Sequence, residues 1–457
     1  MNEAQLRVLI KDASDHMRSD DNTKNALAYL EHLTWLLFLK QFDSLEDERE
    51  LVASIDGGDY SRVIDGDFRW SAWAKSDTTG DALITFITER LLPYLKGLSG
   101  SARGETIARL FQSVSIVMKS GYALKEVLGK VDQIDFHAVT DAHTMSVIYE
   151  TPLGQTADAG WSGEFYTPRP VVEAMVQIVG PKLGQTVYDP CAGSGGFLVE
   201  AHAALESQAQ TTADREQLDS RTFYGQESGG LAYFVGTMNL MLHGIDDPQT
   251  VRRNTLEQDI RTFGPDDQHD LIFTNPPFGG EEHPQVQQNF PARSDATELL
   301  FLQHCMARLA RGGTCAIVVP DGILFKTDQA FLAVRRRLLS EFTVDGIVRL
   351  PPGVFATAPG ARTNLLFFRR TGEPTKSIRF QLVKPPTGKP AFGKTDPITA
   401  DHLKAAVAWI RDGVHNDHAW EVGYDEIVAG GYDLNARPRL TSVDGERPDP
   451  SDVVDYM

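Results

Sequence analysis

The feature that most restricts this chain is the alternation of short β-rich runs with helical stretches between residues 159 and 372. "QTVYD", "TFYGQ", "QTVRR", "DLIFT", "GTCAIVV", "VDGIVRL" and "TNLLFFRR" recur between segments of helical periodicity. A chain that keeps returning from helix to strand builds a sheet with helices on both faces, so the pattern predicts a doubly wound α/β domain over 159–372. The flanks read differently. Residues 1–158 hold "ALAYLEHLTWLLFLKQFD" (26–43) and "ETIARLFQSVSIVMKSGYALKEVLGKV" (105–131), which predict a helical N-terminal domain. Residues 373–457 contain the Pro-, Gly- and Lys-rich "VKPPTGKPAFGKTDP" and one amphipathic helix, "ADHLKAAVAWIRDG", and read as a partly helical C-terminal extension suited to subunit docking. The apolar helices at 26–43 and 401–411 read equally well as docking surfaces or as internal core.

Charge and composition exclude several classes. A formal net charge of −19 argues against a chain that wraps nucleic acid unaided, because phosphate binding is driven by Lys and Arg displacing counterions. The run Arg335-Arg336-Arg337 reads as a solvated helix face, and the acidic end 441–457 as a solvated tail. The most apolar run, "LTWLLFLKQF" at 33–42, is about half the length of a membrane span. The N-terminus lacks the basic flank and apolar core of a signal peptide. Three scattered cysteines form neither a disulfide framework nor a zinc site, so no metal is implied and a reducing cytoplasmic setting fits.

In a doubly wound sheet a ligand binds at the carboxyl ends of the strands, so the residues after each strand carry the chemistry. The first strand runs into "DPCAGSGGF" (189–197). Asp189 places a carboxylate at the strand end, and Gly193, Gly195 and Gly196 let the backbone turn tightly against a ligand; a ligand-free strand-to-helix turn is the plain alternative. The third glycine of a dinucleotide fingerprint would fall at Leu198, and no phosphate-gripping Lys follows. The second strand ends in "YGQES", where both oxygens of Glu227 can hold vicinal ribose hydroxyls. The ligand thus has a ribose and no pyrophosphate, which fits S-adenosyl-L-methionine. The fourth run enters "NPPF" (275–278), and two prolines force the strand to stop near Thr274 while holding Asn275 and Phe278 on a stiff loop.

"GEFYTPRPVV" (163–172), "DPCAGSGGF", "YGQE" and "NPPF", in this order, resemble the motifs of amino-group DNA methyltransferases. More narrowly, "ELLFLQHCMARLARGGTCAIVVPDGILF" (298–325), "VDGIVRLPPGVFATAPGARTNLLFF" (344–368) and "GYDLN" (431–435) resemble the modification subunit of type I restriction-modification systems. The resemblance implies a Rossmann-like methyltransferase sheet and methyl transfer from S-adenosyl-L-methionine to the N6 amino group of adenine. Asn275, Pro276, Pro277 and Phe278 would be catalytic, Asn275 and the Pro276 carbonyl accepting the amino hydrogens and Phe278 stacking on a flipped base. Asp189, Ala192, Gly193, Ser194, Gly195, Gly196, Phe197 and Glu227 would hold the cofactor. The resemblance adds Glu164, Phe165, Tyr166, Thr167, Pro168 and Arg169 at its methionine end, where the plain alternative is a helix start capped by Thr167. It adds Asn254 at the adenine, where the alternative is a turn residue. Partners implied are DNA, a separate specificity subunit, a restriction (motor nuclease) subunit and a second copy of this chain, with no membrane.

Three further points follow. Cys191 resembles the Pro-Cys nucleophile of cytosine methyltransferases, but it follows strand one rather than strand four and reads as turn filler. The run 279–297 is long for a simple connection and could close over a flipped base. Competing readings are a stand-alone adenine or N4-cytosine DNA methyltransferase, a methyltransferase of protein glutamine or RNA, and a non-catalytic scaffold on the same fold.

Overall fold

The computed structural model describes residues 3–18, 20, 26–134, 167–355, 360–393 and 395–436. It is mixed α/β with a central sheet and a helical N-terminal region. In chain order the strands are β1 (Val187–Asp189), β2 (Phe223–Glu227), β3 (Gln249–Arg252), β4 (His269–Thr274), β5 (Leu309–Pro320), β6 (Thr343–Leu350), β7 (Thr363–Arg369), β8 (Ser377–Leu382) and β9 (Ala419–Gly423). The chain divides into two compact units, Met1–Tyr166 with Ala192–Arg253, and Thr167–Cys191 with Asn254–Met457.

In the first unit β2 and β3 run parallel, with Gly225 opposite Thr250. The helix Ala26–Ile55 runs well past the apolar segment that predicted it. Its acidic second half is held by a neighbouring loop: Arg62 pairs with Asp43 and Asp47, each at 2.7 Å. The buried Glu46 carboxylate accepts from the Val63 and Ile64 amides at 3.0 and 3.1 Å. Trp35, Phe38, Phe42, Trp70 and Phe111 form the core, and Phe234, Val235, Met238 and Met241 of the helix Gly230–Leu242 belong to that same core. Phe111 meets Phe234 edge-on at 5.8 Å, and Arg49 and Arg103 both pair with Asp246, at 3.1 and 2.6 Å. The apolar run at 33–42 is therefore internal packing. Among the described residues no helix is long and apolar enough to cross a membrane.

In the second unit the strand order is β1-β4-β5-β7-β6-β8-β9. β1, β4 and β5 are parallel, β7 runs against both β5 and β6, and β8 is parallel to β6. Because β7 reverses direction twice over, the carboxyl ends of β4, β5, β6 and β8 share one edge. β4 stops at Thr274, where the prolines require it to. Beyond residue 373 the chain adds β8 and β9 to this sheet, and the expected amphipathic helix forms as Ala400–Asp412, closed by Gly413 at φ 73°. Its face of Leu403, Ala406, Val407, Trp409 and Ile410 is buried, and Trp409 Nε1 donates to the Phe380 carbonyl of β8 at 3.0 Å.

The basic run 335–337 departs from a solvated face at its first member. Arg335, on the helix Gln329–Glu341, is 1% exposed and donates to three main-chain carbonyls: Lys326 at 2.7 Å, Tyr432 at 2.8 Å and Ile323 at 3.0 Å. Two of these carbonyls belong to the short helix Asp321–Phe325 and the residue that follows it, and the third to Tyr432, whose φ is 64°. Arginine alone carries enough donors in a fixed fork to satisfy all three at once. Arg336 then lies over the Tyr432 ring at 4.9 Å.

Candidate active site

Asn275 is the first residue beyond β4, half-buried, with Pro276 buried behind it. Its Nδ2 donates to Thr167 Oγ1 at 3.0 Å, which fixes the amide orientation. Its Oδ1 is buried and has no hydrogen-bond partner among the described residues. An acceptor left in that state costs about 1–3 kcal/mol, so the fold holds a carbonyl oxygen ready for a donor from outside. Thr167 does not cap the helix that follows. That helix is Arg169–Val179, its N-cap is Pro168, and among the described residues no side chain caps it; the Thr167 hydroxyl is turned toward Asn275. Arg169 instead pairs with Glu173 at 2.9 Å. Glu164, Phe165 and Tyr166 lie outside the described residues.

Phe278 ends the loop in a T-shaped contact with Phe355, centroids 5.5 Å apart and planes at 86°. Phe355 lies in "LPPGVF", where nothing in the local sequence gives the ring a role. The loop after Phe278 is pinned: Glu281 bridges Ala296, Phe290 is buried with Leu256, Ile260, Leu300 and Phe301, and Gln303 clasps Ala292 through two hydrogen bonds of 2.8 and 3.0 Å. In the same unit Asp189 is buried and accepts from the Cys191 amide at 3.1 Å. The Cys191 thiol lies 2.9 Å from the Thr274 hydroxyl. Asn254 uses its side-chain oxygen to cap the turn Thr255–Glu257, accepting from the Leu256 amide at 3.0 Å.

The glycine-rich turn belongs to the first unit. Gly193 and Gly195 take φ of 51° and 79°, which side-chain-bearing residues rarely adopt. Gly236 matters for a different reason: a Cβ there would come within 2.4 Å of the Gly193 carbonyl, so the turn seats directly on the helix Gly230–Leu242. Asn239 of that helix donates to the Ser194 carbonyl at 2.9 Å, and the Ala192 amide donates to the Gln226 carbonyl at 2.9 Å. Gly196 opens the helix Gly196–Glu206, with Phe197 buried in its first turn. Glu227 is 8% exposed, one oxygen accepting from the Gly193 amide at 3.0 Å and the other from Gly229 at 2.7 Å. The Ser228 hydroxyl also donates weakly to the second oxygen at 3.4 Å, so the oxygen that meets Gly193 is the one that keeps a lone pair for a further donor.

A family model described as N-6 DNA Methylase matches residues 140–446, and one described as the HsdM N-terminal domain matches residues 6–131. The type I restriction enzyme EcoEI methylase subunit of Escherichia coli is 37% identical over 446 residues, covering 94% of this chain and 89% of its own. Among solved structures, a modification subunit assigned to a type I restriction enzyme of Vibrio vulnificus YJ016 is 38% identical with a TM-score of 0.86 over 93% of each chain. A chain from a type I R-M system studied for complex assembly and conformational transition is 41% identical with a TM-score of 0.75, over 97% of this chain and 93% of that one.

Proposed function

We propose, from the premise that this chain belongs to the N-6 DNA methylase family as a type I methylase subunit, that it transfers a methyl group to the N6 of adenine through Asn275, Pro276, Pro277 and Phe278. The observation that carries the residue assignment is the buried Asn275 Oδ1, which has no partner among the described residues. An adenine amino nitrogen shares its lone pair with the ring and attacks poorly. Acceptors for its two hydrogens, Asn275 Oδ1 and the Pro276 carbonyl, let it pyramidalise and recover nucleophilicity. Thr167 keeps the amide from rotating. A base taken out of the duplex loses a few kcal/mol of stacking, and a Phe278 face returns about 1–3 kcal/mol of it.

S-adenosyl-L-methionine supplies an electrophilic methyl on sulfonium when bound. The chain's residues fit it: Gly193 and Gly195 turn the backbone at positive φ with no side chain in the way, Glu227 offers its carboxylate to a ribose, and Asp189 adds a buried carboxylate. Asn254, whose oxygen caps a turn, would meet the adenine end through its amide nitrogen.

Site choice belongs to a separate specificity subunit, because a −19 chain gains little from phosphate neutralisation. That subunit would hold two copies of this chain, one per strand of a two-part site, with a restriction subunit as a further partner, in the cytoplasm. The test is to map N6-methyladenine on genomic DNA incubated with cofactor and the chain alone, then with the specificity subunit added. Methylation at one defined motif is expected only in the second case, and Asn275→Ala should abolish it while cofactor binding persists. Efficient methylation by the chain alone would establish a stand-alone enzyme instead.

A further inference from the structure

The helix Gly230–Leu242, whose preceding glycine donates to Glu227, starts at a cavity of about 140 Å³ in the first unit. Among the described residues no side chain caps this helix, and its first main-chain bond runs from the Tyr233 amide to the Gly229 carbonyl at 2.8 Å. The amides of Gly230, Leu231 and Ala232 therefore have no acceptor within the helix, and a helix start in that state attracts an anion. Two side chains reinforce the attraction. Arg252, at the end of β3, lies so close to Gly230 that a Cβ there would come within 2.9 Å of its guanidinium. Trp35 is 1% exposed, lines the same cavity, and its Nε1 has no hydrogen-bond partner among the described residues. A buried N–H left in that state is costly, so the fold holds a donor ready for an acceptor from outside.

A simple anion does not satisfy the whole cavity. Glu31, one helical turn before Trp35, brings a carboxylate to it. Burial pushes the Glu31 carboxyl up and Arg252 draws it back, so the two feel each other's charge, yet among the described residues they form no ion pair and neither side chain makes a hydrogen bond. Phosphate would answer Arg252 and leave Glu31 facing negative charge. A ligand that carries a carboxylate and an ammonium together answers both. The remaining walls are the Trp35 ring, Val114, Leu231 and Phe234, with hydroxyls from Ser113 and Ser115. The volume holds on the order of ten water-sized groups, the size of one small molecule with a short apolar arm.

We propose that this cavity binds a free α-amino acid with an apolar side chain. Its carboxylate sits on the Gly230 and Leu231 amides, Arg252 and the Trp35 N–H, its ammonium on Glu31, and its side chain against Val114 and Phe234. The site stands apart from the ribose contact at Glu227 and does not depend on the methyltransferase reading.

The test titrates the full chain by calorimetry with L-leucine, with isocaproate, which lacks the ammonium, and with isoamylamine, which lacks the carboxylate. Leucine should bind one per chain, and each half-ligand roughly tenfold more weakly or worse, because a charged hydrogen bond is lost. Arg252→Gln and Glu31→Gln change exposed side chains, so the melting temperature should hold while leucine affinity falls roughly tenfold or more. Trp35→Phe keeps the apolar wall, removes the N–H and should weaken binding as well. The proposal is overturned if leucine, methionine and valine all fail to bind at millimolar concentration, or if isocaproate binds as tightly as leucine, which would make the cavity a seat for simple anions. Exposed-site variants that keep the wild-type affinity would place the amino acid elsewhere and overturn it too. So would displacement of leucine by S-adenosyl-L-methionine, which would give the cavity to the cofactor.

Discussion

Replacing Thr167 by Val removes one hydroxyl and nothing else of consequence in shape, and it tests whether the Asn275 amide must be held. The hydrogen bond lost is the 3.0 Å contact from Asn275 Nδ2. A part-buried donor deprived of its acceptor costs about 1–3 kcal/mol, and Asn275 can recover some of this only by turning its amide away from the orientation that presents Oδ1. If that cost falls on the transition state, the rate drops roughly 5- to 150-fold, at 1.36 kcal/mol per tenfold. Single-turnover transfer of labelled methyl to a cognate duplex, with the specificity subunit present, should show the loss in the chemical rate. Thr167→Ser keeps the acceptor and should restore most of it. The reasoning is refuted if the Val variant reacts at the wild-type rate, or if its whole defect lies in cofactor affinity while the saturated rate is unchanged.

Three other perturbations separate the remaining parts. Phe278→Ala should slow transfer more than Phe278→Trp or Phe278→Tyr, with Phe355→Ala falling between them because the ring that braces Phe278 is lost; a reversed order would remove the stacking role. Glu227→Gln leaves only one acceptor oxygen for the Gly193 and Gly229 amides, so cofactor affinity by calorimetry should fall roughly 10- to 150-fold, from about 1.5–3 kcal/mol for a charged hydrogen bond; an unchanged dissociation constant would move the ribose contact elsewhere. Asp219 is pushed up to about 6 by burial and by Asp246. Its carboxyl holds a proton in the fold that the unfolded chain has already lost, so stability falls as pH rises from about 4 to 6 and stays lower above that. Asp219→Asn should raise the melting temperature at pH 7.5 and flatten its change across that window; an equal slope in both proteins would show that other groups set it.

The strands up to β7 and the stiff Asn275–Phe278 loop were legible because their causes are local, whereas β8 and β9 were not expected in the C-terminal extension. Two prolines fix where β4 must end whatever the rest of the chain does, and a positive-φ glycine turn is written in "AGSGG". What escaped notice depended on residues distant in sequence. Arg335 reads as one of three solvated arginines, and its burial follows only from carbonyls at Ile323, Lys326 and Tyr432 that need donors. Thr167 has the right sequence for a cap, yet its hydroxyl is better used by an amide from β4's end. Phe355 could have been suspected from the stiff "LPPG" before it, which is built like the "NPP" before Phe278. Its pairing with that ring required the register of β6 and β7.

The core shared by the N-terminal helices and the helix Gly230–Leu242 has a consequence on the ribosome. Synthesis proceeds at about 5–20 residues per second from the N-terminus, so the helices that carry Trp35, Phe38 and Phe111 leave the exit tunnel long before Phe234, Val235, Met238 and Met241 exist to cover them. The nascent chain must carry that greasy face uncovered for several seconds, which makes it a client for holding chaperones. For the same reason, a gene fusion that joins one relative's first 134 residues to another's remainder sets a foreign helical domain against those four side chains, and any difference in their shape is felt there.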